Sequence, residues 1–254
     1  MILQRVEQAE WLSNAYLIVD RPGGSGVLVD SNGVTEPLVE RVDREGTDIT
    51  HILLTHSHWD HVFGLEALIE RFGVPVLAHP LCAEQLDGKV TDAIDDGDEI
   101  ASGDLRIEPM HTPGHCPDHL ALLVDGTDCL TADCLFAGTV GGTLGGGPTG
   151  FEDIRNSIME RLMKLEGGVR IHPGHKVPST IGEEWESNPF VRVWRGEEEE
   201  GSEPCTIGPP DAAEREDATL ILWAPDYDGG NKAWVRYPDG RDAIVGGSQV
   251  KRGG

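Results

Sequence analysis

Three imidazoles and a carboxylate fall within six residues of the segment Thr55-His56-Ser57-His58-Trp59-Asp60-His61. With ten histidines in 254 residues, three in six positions is a concentration that chance rarely gives. Nitrogen and carboxylate oxygen at that density are the donors of a divalent-cation site. Residues two apart on extended backbone project to one side, so His56 and His58 can share a point, while Asp60 and His61 can face a second one. Three further patches carry the same donors. Thr112-Pro113-Gly114-His115 and His172-Pro173-Gly174-His175 each place a histidine after a tight turn, and Thr131-Ala132-Asp133 ends an apolar run on a carboxylate. Each patch alone is ordinary. Together with the first segment they are what a metal site in a cleft needs.

Such donors must be held by regular structure, and the sequence places each at the end of an expected strand. The apolar run 49–54 leads into the histidine segment, 105–110 leads into His115, 128–131 into Asp133, and 169–171 into His175. After the histidine segment, Val62, Leu65, Leu68, Ile69 and Phe72 recur at helical spacing, which predicts a helix over 60–72 stopped by Gly73. Further strands are expected at 14–19, 26–29, 74–78 and 119–124, and helices at 37–44 and 151–165. Strands and helices interleave in both halves, which predicts sheets covered by helices, an α/β or layered αββα architecture.

Past residue 195 the character changes. Gly196-Glu197-Glu198-Glu199-Glu200-Gly201-Ser202-Glu203-Pro204 packs like charges closely, which reads as a solvated linker. The chain accordingly divides into a main domain at 1–195, an acidic linker at 196–217 and a small β-rich appendage at 218–254, with strands at 218–223, 233–237 and 243–245.

Composition narrows the partners. Lys and Arg number 20 against 45 Asp and Glu, a formal charge of −25. A surface so negative repels phosphate backbones, so no nucleic-acid partner is expected. No apolar run reaches the length of a membrane span, and residues 1–7 lack the basic start and apolar block of a signal peptide. Cys82, Cys116, Cys129, Cys134 and Cys205 are odd in number and form no C-x-x-C pair, so a disulfide framework is not expected. A cytoplasmic protein is expected, with the oligomeric state open and a homodimer among the options. The 15 Arg against 5 Lys fit either a surface kept hydrated at high salt or a GC-rich genome.

The order His-x-His-x-Asp-His, then Gly-His, Asp and a last Gly-His resembles the metallo-β-lactamase fold of hydrolases, in all four motifs and over roughly residues 1–195. Within it, Thr-Pro-Gly-His115 and Pro-Gly-His175 are most similar to the glyoxalase II (hydroxyacylglutathione hydrolase) branch. Thr180-Ile181-Gly182-Glu183-Glu184 and Asn188-Pro189-Phe190 are similar to short glyoxalase II-like proteins. The resemblance implies an αββα sandwich with two divalent metal ions. One is held by His56, His58 and His115, the other by Asp60, His61 and His175, and Asp133 bridges them. Asp60 is also implied as the catalytic group that orients a metal-bound hydroxide, which is available near neutral pH. Zinc is the expected metal, and iron or manganese suit the same donors. The implied activity is hydrolysis of a small thioester, ester or lactone.

Neighbouring residues carry further expectations. Asp30 is a candidate to orient a ligand imidazole or simply a strand-end turn residue. His111 and His119 are expected to be structural, Cys116 and Cys134 to be small neighbours and not thiolate ligands, and Trp59 to border the mouth. The loop Gly138-Thr139-Val140-Gly141-Gly142-Thr143-Leu144-Gly145-Gly146-Gly147 has neither cation nor tyrosine, unlike glutathione-binding members. Alternatives on the same scaffold are a persulfide dioxygenase with one iron, held by the two histidines of the first pair plus Asp133, and a lactonase or β-lactamase specificity. If the acidity is an adaptation to salt, the melting temperature rises markedly between low and molar salt; a flat response leaves only codon bias.

Overall fold

All six residues of the strand Asn14–Val19 are buried, which requires cover on both faces of its sheet. Side chains alternate along a strand, and the alternation sorts this one into two cores. Tyr16 and Ile18 join Val27, Val29, Leu53, Leu105, Ile107, Leu120, Leu122 and Leu130 between two sheets. Ala15, Leu17 and Val19 face outward, onto Leu38 and Val42 of the helix Glu36–Glu45 and Leu65 and Leu68 of the helix Leu65–Phe72. The computed structural model in which these layers are seen describes residues 1–145, 147 and 149–253. Gly146 of the glycine-rich loop and Gly254 at the end of the expected appendage lie outside the described residues.

The first sheet runs in the order Ile2–Glu7, Asn14–Val19, Ser25–Val29, Asp48–Leu53, Val76–Ala78, Asp92–Ala93, antiparallel at the start and parallel from Ser25–Val29 onward. The second runs Ser179–Thr180, Arg170–Pro173, Asp128–Ala132, Leu120–Val124, Leu105–His111, Ile100–Ser102, with one parallel pair between Asp128–Ala132 and Arg170–Pro173. Its outer residues Ala121, Cys129 and Ile171 pack on Ile154, Ile181, Phe190 and Val191 of the following helices. The layers are therefore helix, sheet, sheet, helix. Among the described residues no helix is long and apolar enough to cross a membrane.

The C-terminal region forms an antiparallel five-stranded sheet, ordered Asp242–Gly246, Asn231–Arg236, Glu216–Pro225, Glu203–Ile207, Val250–Arg252. Ile221, Trp234 and Ile244 on one face join the second helical layer, and Phe151 lies 4.8 Å from Trp234 between ring centres. Leu220, Ala233, Val235, Ala243 and Val245 on the other face make a small core of their own. The sheet is thus packed onto the sandwich.

Three expectations differ from what forms. Within the expected linker at 196–217, Glu203–Ile207 is a strand of this sheet, because Cys205 and Ile207 find apolar partners in strands that follow later in the chain. The glutamates before it are not merely repelling one another: Glu198 pairs with Arg192 at 2.6 Å, Glu200 with Arg236 at 2.7 Å, and Glu197 with Arg195. The helix expected over 60–72 breaks at Phe63-Gly64 into Trp59–Val62 and Leu65–Phe72, with Gly64 at φ 83°. The helix expected over 151–165 is α-helical only over Phe151–Asn156, continuing as a wider π-turn over Ser157–Arg161 and a 3-10 turn over Leu162–Lys164.

Asp128 ties together the two parallel strands that end at Asp133 and His175. It is buried, yet accepts hydrogen bonds from Arg170 Nε and Nη2, both at 2.7 Å, and from His172 Nε2 at 2.8 Å. Burial raises this carboxyl, but Arg170, His172 and Thr127 outweigh it and hold the group below the usual carboxylate range. A depressed pKa contributes stability above the unfolded value near 3.9 that is lost as pH falls through the folded one. Asp128→Asn is expected to cost roughly 1–3 kcal/mol at pH 7. In urea titrations the gap from the wild type should close as pH drops below about 4.

Candidate metal centre

The loop that follows Asp48–Leu53 is anchored before its histidines begin. Asp30 Oδ1 accepts Thr55 N–H at 2.8 Å, and Oδ2 accepts Thr55 Oγ1 at 2.7 Å and His61 Nδ1 at 2.9 Å. With its hydroxyl proton given to Asp30, Thr55 Oγ1 accepts from His56 Nδ1 at 3.0 Å. His115 Nδ1 donates to the carbonyl of Gly142 at 2.9 Å. In each of these rings the remote nitrogen carries the proton, so Nε2 presents its lone pair inward.

The inward atoms converge. His115 Nε2 lies 2.8 Å from His58 Nδ1, and donor atoms of His56, His58 and His115 lie within 4.8 Å of one another. Asp60, His61 and His175 form a second such group. Asp133 stands between them, with Oδ1 3.4 Å from His61 Nε2, and Oδ2 3.5 Å from His115 Nε2 and 3.3 Å from His175 Nε2. All seven residues singled out from sequence are therefore brought into one cluster. Three of its buried atoms that face inward, His56 Nε2, His61 Nε2 and Asp133 Oδ1, have no hydrogen-bond partner among the described residues. Buried polar atoms left without a partner are rare and costly, and a cation would satisfy all three.

Electrostatics point the same way. Burial alone would push His61 down, but Asp133 and Asp30 outweigh it and hold the imidazole well above its usual range. Burial would raise Asp133, but His175 and His61 hold it well below the usual carboxylate range. Burial, with His61 beside it, keeps His56 well below the imidazole range, and burial also lowers His115. Asp133 and His61 thus each favour the charged form of the other.

Backbone conformation aims these groups. Ala132, immediately before Asp133, sits at φ 40°, and the pairing with Arg170–Pro173 shifts register there. Left-handed backbone at a non-glycine residue costs about 1–3 kcal/mol and persists where surroundings enforce it. Gly174 is needed for closeness: a Cβ there would meet Asp133 Oδ1 at 2.1 Å. The His175 turn is also stitched to the first sheet. Asn14 Nδ2 donates to the carbonyls of Pro173 and Lys176 at 2.9 and 3.0 Å, and Tyr16 Oη donates to Pro173 at 2.5 Å.

A sequence profile described as the Metallo-beta-lactamase superfamily matches residues 9–175. The chain belongs to that superfamily. It is 28% identical over 211 residues to the hydroxyacylglutathione hydrolase GloC of Haemophilus influenzae, spanning 75% of this chain and 98% of that one. Among solved structures, ETHE1 from Myxococcus xanthus has a TM-score of 0.69 at 27% identity, over 76% of this chain and 85% of that one. TTHA1623, in a di-iron-bound form, has 0.64 at 30% identity, over 74% and 99%. The two mixed sheets are the metallo-beta-lactamase fold, to which the C-terminal sheet is added. Superfamily membership and the His/Asp cluster together support a metallo-hydrolase.

Residues around the cluster resolve several open expectations. Asp30 orients His61, as above. His119 holds Asp133 from behind: its Nδ1 faces Thr112 Oγ1 at 2.8 Å, and its Nε2 accepts Asp133 N–H at 3.0 Å. Burial and His115 push His119 down to about 3, so it stays neutral and able to accept. Cys116 and Cys134 are buried, with thiols pushed up by burial, which disfavours thiolate ligation. Asp118, which no sequence motif singles out, accepts Ser57 N–H at 2.8 Å between the two first histidines; its place near Gly-His115 is the one sequence hint of this. Trp59 and Phe63 are more than half exposed and meet Trp11 edge-on at 4.7 and 5.8 Å, an apolar wall beside Asp60. A separate group, His79, Asp95 and His111, has stacked imidazoles 4.3 Å apart. There His79 Nδ1 accepts Leu81 N–H at 3.2 Å and His111 Nε2 donates to the carbonyl of Pro117 at 2.8 Å, so both rings serve local hydrogen bonding.

Asp30→Asn replaces one acceptor oxygen by an amide that faces hydrogens on Thr55 or His61. Metal affinity is expected to fall roughly 10–100-fold, read as the metal retained after dialysis against graded chelator.

Proposed function

We propose that the chain is a dinuclear metal hydrolase of small thioesters, esters or lactones. His56, His58 and His115 hold one cation, Asp60, His61 and His175 hold the other, and Asp133 lies between. The observation that carries this reading is the orphaned trio of buried atoms, His56 Nε2, His61 Nε2 and Asp133 Oδ1. When bound, two divalent cations polarise a carbonyl and lower the pKa of water to about 7. Zinc is the proposed metal, and the di-iron-bound relative favours iron as the alternative.

The protein's own groups set the rest. Asp60 Oδ2 lies 3.5 Å from His175 Nε2 and 3.6 Å from His61 Nε2. It is the less buried of the two cluster carboxylates, with 16% side-chain exposure against 8% for Asp133. That leaves Asp60 able to orient an attacking water, while Asp133 serves only the centre. Trp11, Trp59 and Phe63 supply an apolar surface for an acyl or leaving group. The loop after Asp133 contributes Gly142 O to His115 and an exposed Leu144, without a cation. A neutral, partly apolar substrate therefore fits better than an anionic glutathione conjugate. Five free, buried cysteines suit a reducing cytoplasm.

A single iron held by three of these residues leaves buried donors such as His61 Nε2 without a partner, which favours the dinuclear reading over the persulfide dioxygenase. Elemental assay is expected to give two ions per chain. Chelation should abolish turnover of a thioester and lactone panel, and zinc or manganese should restore it. Asp133→Ala should lose both ions and all turnover. One iron per chain, with oxygen consumed in the presence of a persulfide, would replace this reading by the dioxygenase.

A further inference from the structure

The C-terminal sheet reaches the metal centre through one hairpin tip. Between the strands Glu216–Pro225 and Asn231–Arg236, the turn Asp226-Tyr227-Asp228-Gly229-Gly230 lays Tyr227 on His175, ring centres 4.5 Å apart and planes 15° from parallel. Phe136 braces the pair, 4.8 Å from Tyr227 and 5.9 Å from His175. The turn is fixed from within: Asp226 Oδ1 accepts Tyr227 N–H at 2.8 Å, and Oδ2 takes Lys232 Nζ at 2.9 Å. That ion pair is almost wholly buried, and the ammonium lies 5.3 Å from the centre of the Tyr227 ring. A buried pair contributes little net stability, but it determines where the tip sits.

His175 differs from His56, His61 and His115 in how its ring is held. Those three are each fixed by a hydrogen bond from Nδ1, whereas the buried Nδ1 of His175 has no partner among the described residues. Tyr227 instead covers the face of that ring. Tyr227 itself is half-buried, and among the described residues no hydrogen bond engages its hydroxyl. The charges that act on that hydroxyl are those of Asp133 and Asp60 in the cluster together with Asp226 and Asp228 of the turn itself.

We propose that Tyr227 completes the metal centre from the C-terminal sheet. Its ring positions His175, and its hydroxyl donates a hydrogen bond to the oxygen of a substrate lying over the centre. The supplying sheet lies beyond the residues matched by the superfamily profile, so this role belongs to the present chain's extension. The inference rests on the metallo-hydrolase reading.

The test uses the full-length zinc-loaded protein, with benzylphosphonate as a probe whose P–O groups imitate a tetrahedral intermediate. Tyr227→Phe keeps the ring and should retain both zinc ions with wild-type affinity, but bind benzylphosphonate about tenfold more weakly by calorimetry. Tyr227→Ala should in addition hold one zinc at least roughly tenfold more weakly in chelator competition. Retention in the phenylalanine variant separates ring positioning from general damage, and Tyr227→Leu replaces the alanine variant if that one does not fold. Wild-type probe affinity in Tyr227→Phe overturns the hydroxyl role, and wild-type zinc affinity in the alanine or leucine variant overturns the ring role. Absence of turnover of every ester, thioester and lactone by the wild type would sink the hydrolase reading alone, since zinc and probe binding still report on Tyr227.

Discussion

A buried carboxylate with histidines on both sides is the constraint around which the molecule is arranged. Asp133 is nearly inaccessible, and its two oxygens face His61, His115 and His175 at 3.3–3.5 Å. An isolated carboxylate in such a place would be costly to ionise. Here the imidazoles of His175 and His61 outweigh burial and favour its ionised form. Lone pairs brought this close repel one another, so the cluster cannot be what holds the fold together. The fold must hold the cluster.

That division of labour shows in where stability is spent. Ala132 in left-handed backbone and a glycine pressed against Asp133 are local costs at the site. The compensation lies in three apolar layers and in clamps such as Asp128 with Arg170 and His172, which fix the neighbouring strand ends without touching the donors. Both sheets contribute: the histidine segment and Asp30 come from the first, His115, Asp133 and His175 from the second. Asn14 and Tyr16 reach across to the turn before His175, so packing between the sheets and geometry at the centre are not independent. A mutation that lets the sheets slide is expected to disturb both.

The donors were legible in the sequence because each sits in a short motif at the end of an apolar run, and periodicity locates such ends without tertiary knowledge. The strands and the layered class followed from the same alternation. What was hidden depends on partners distant in sequence. His119 reads as one more histidine until its Nε2 is seen accepting the amide of Asp133, and Asp118 as a loop acid until it is seen bonding Ser57. The run Glu197 to Glu200 read as a repelling linker because its arginines, Arg192, Arg195 and Arg236, include one that lies 36 residues beyond Glu200. The strand Glu203–Ile207 is short, and its apolar residues gain meaning only against strands that follow it.

Tyr227 is the extreme of this. It lies 94 residues after Asp133, in an Asp-Gly turn whose composition announces a hairpin and nothing more. A hairpin tip is ordinarily free to vary, since water satisfies its backbone. This one is held by a buried Lys232–Asp226 pair and spends its aromatic residue on a histidine that has no hydrogen bond to hold it. The comparison among the cluster's histidines gives the tip its significance. Where Thr55, Asp30 and a loop carbonyl do the orienting, the sandwich supplies the support itself; at His175 no such bond forms among the described residues, and a ring from the added sheet stacks on the imidazole face. An appendage that merely decorated the surface would have no reason to bury an ion pair in order to set one ring against the centre.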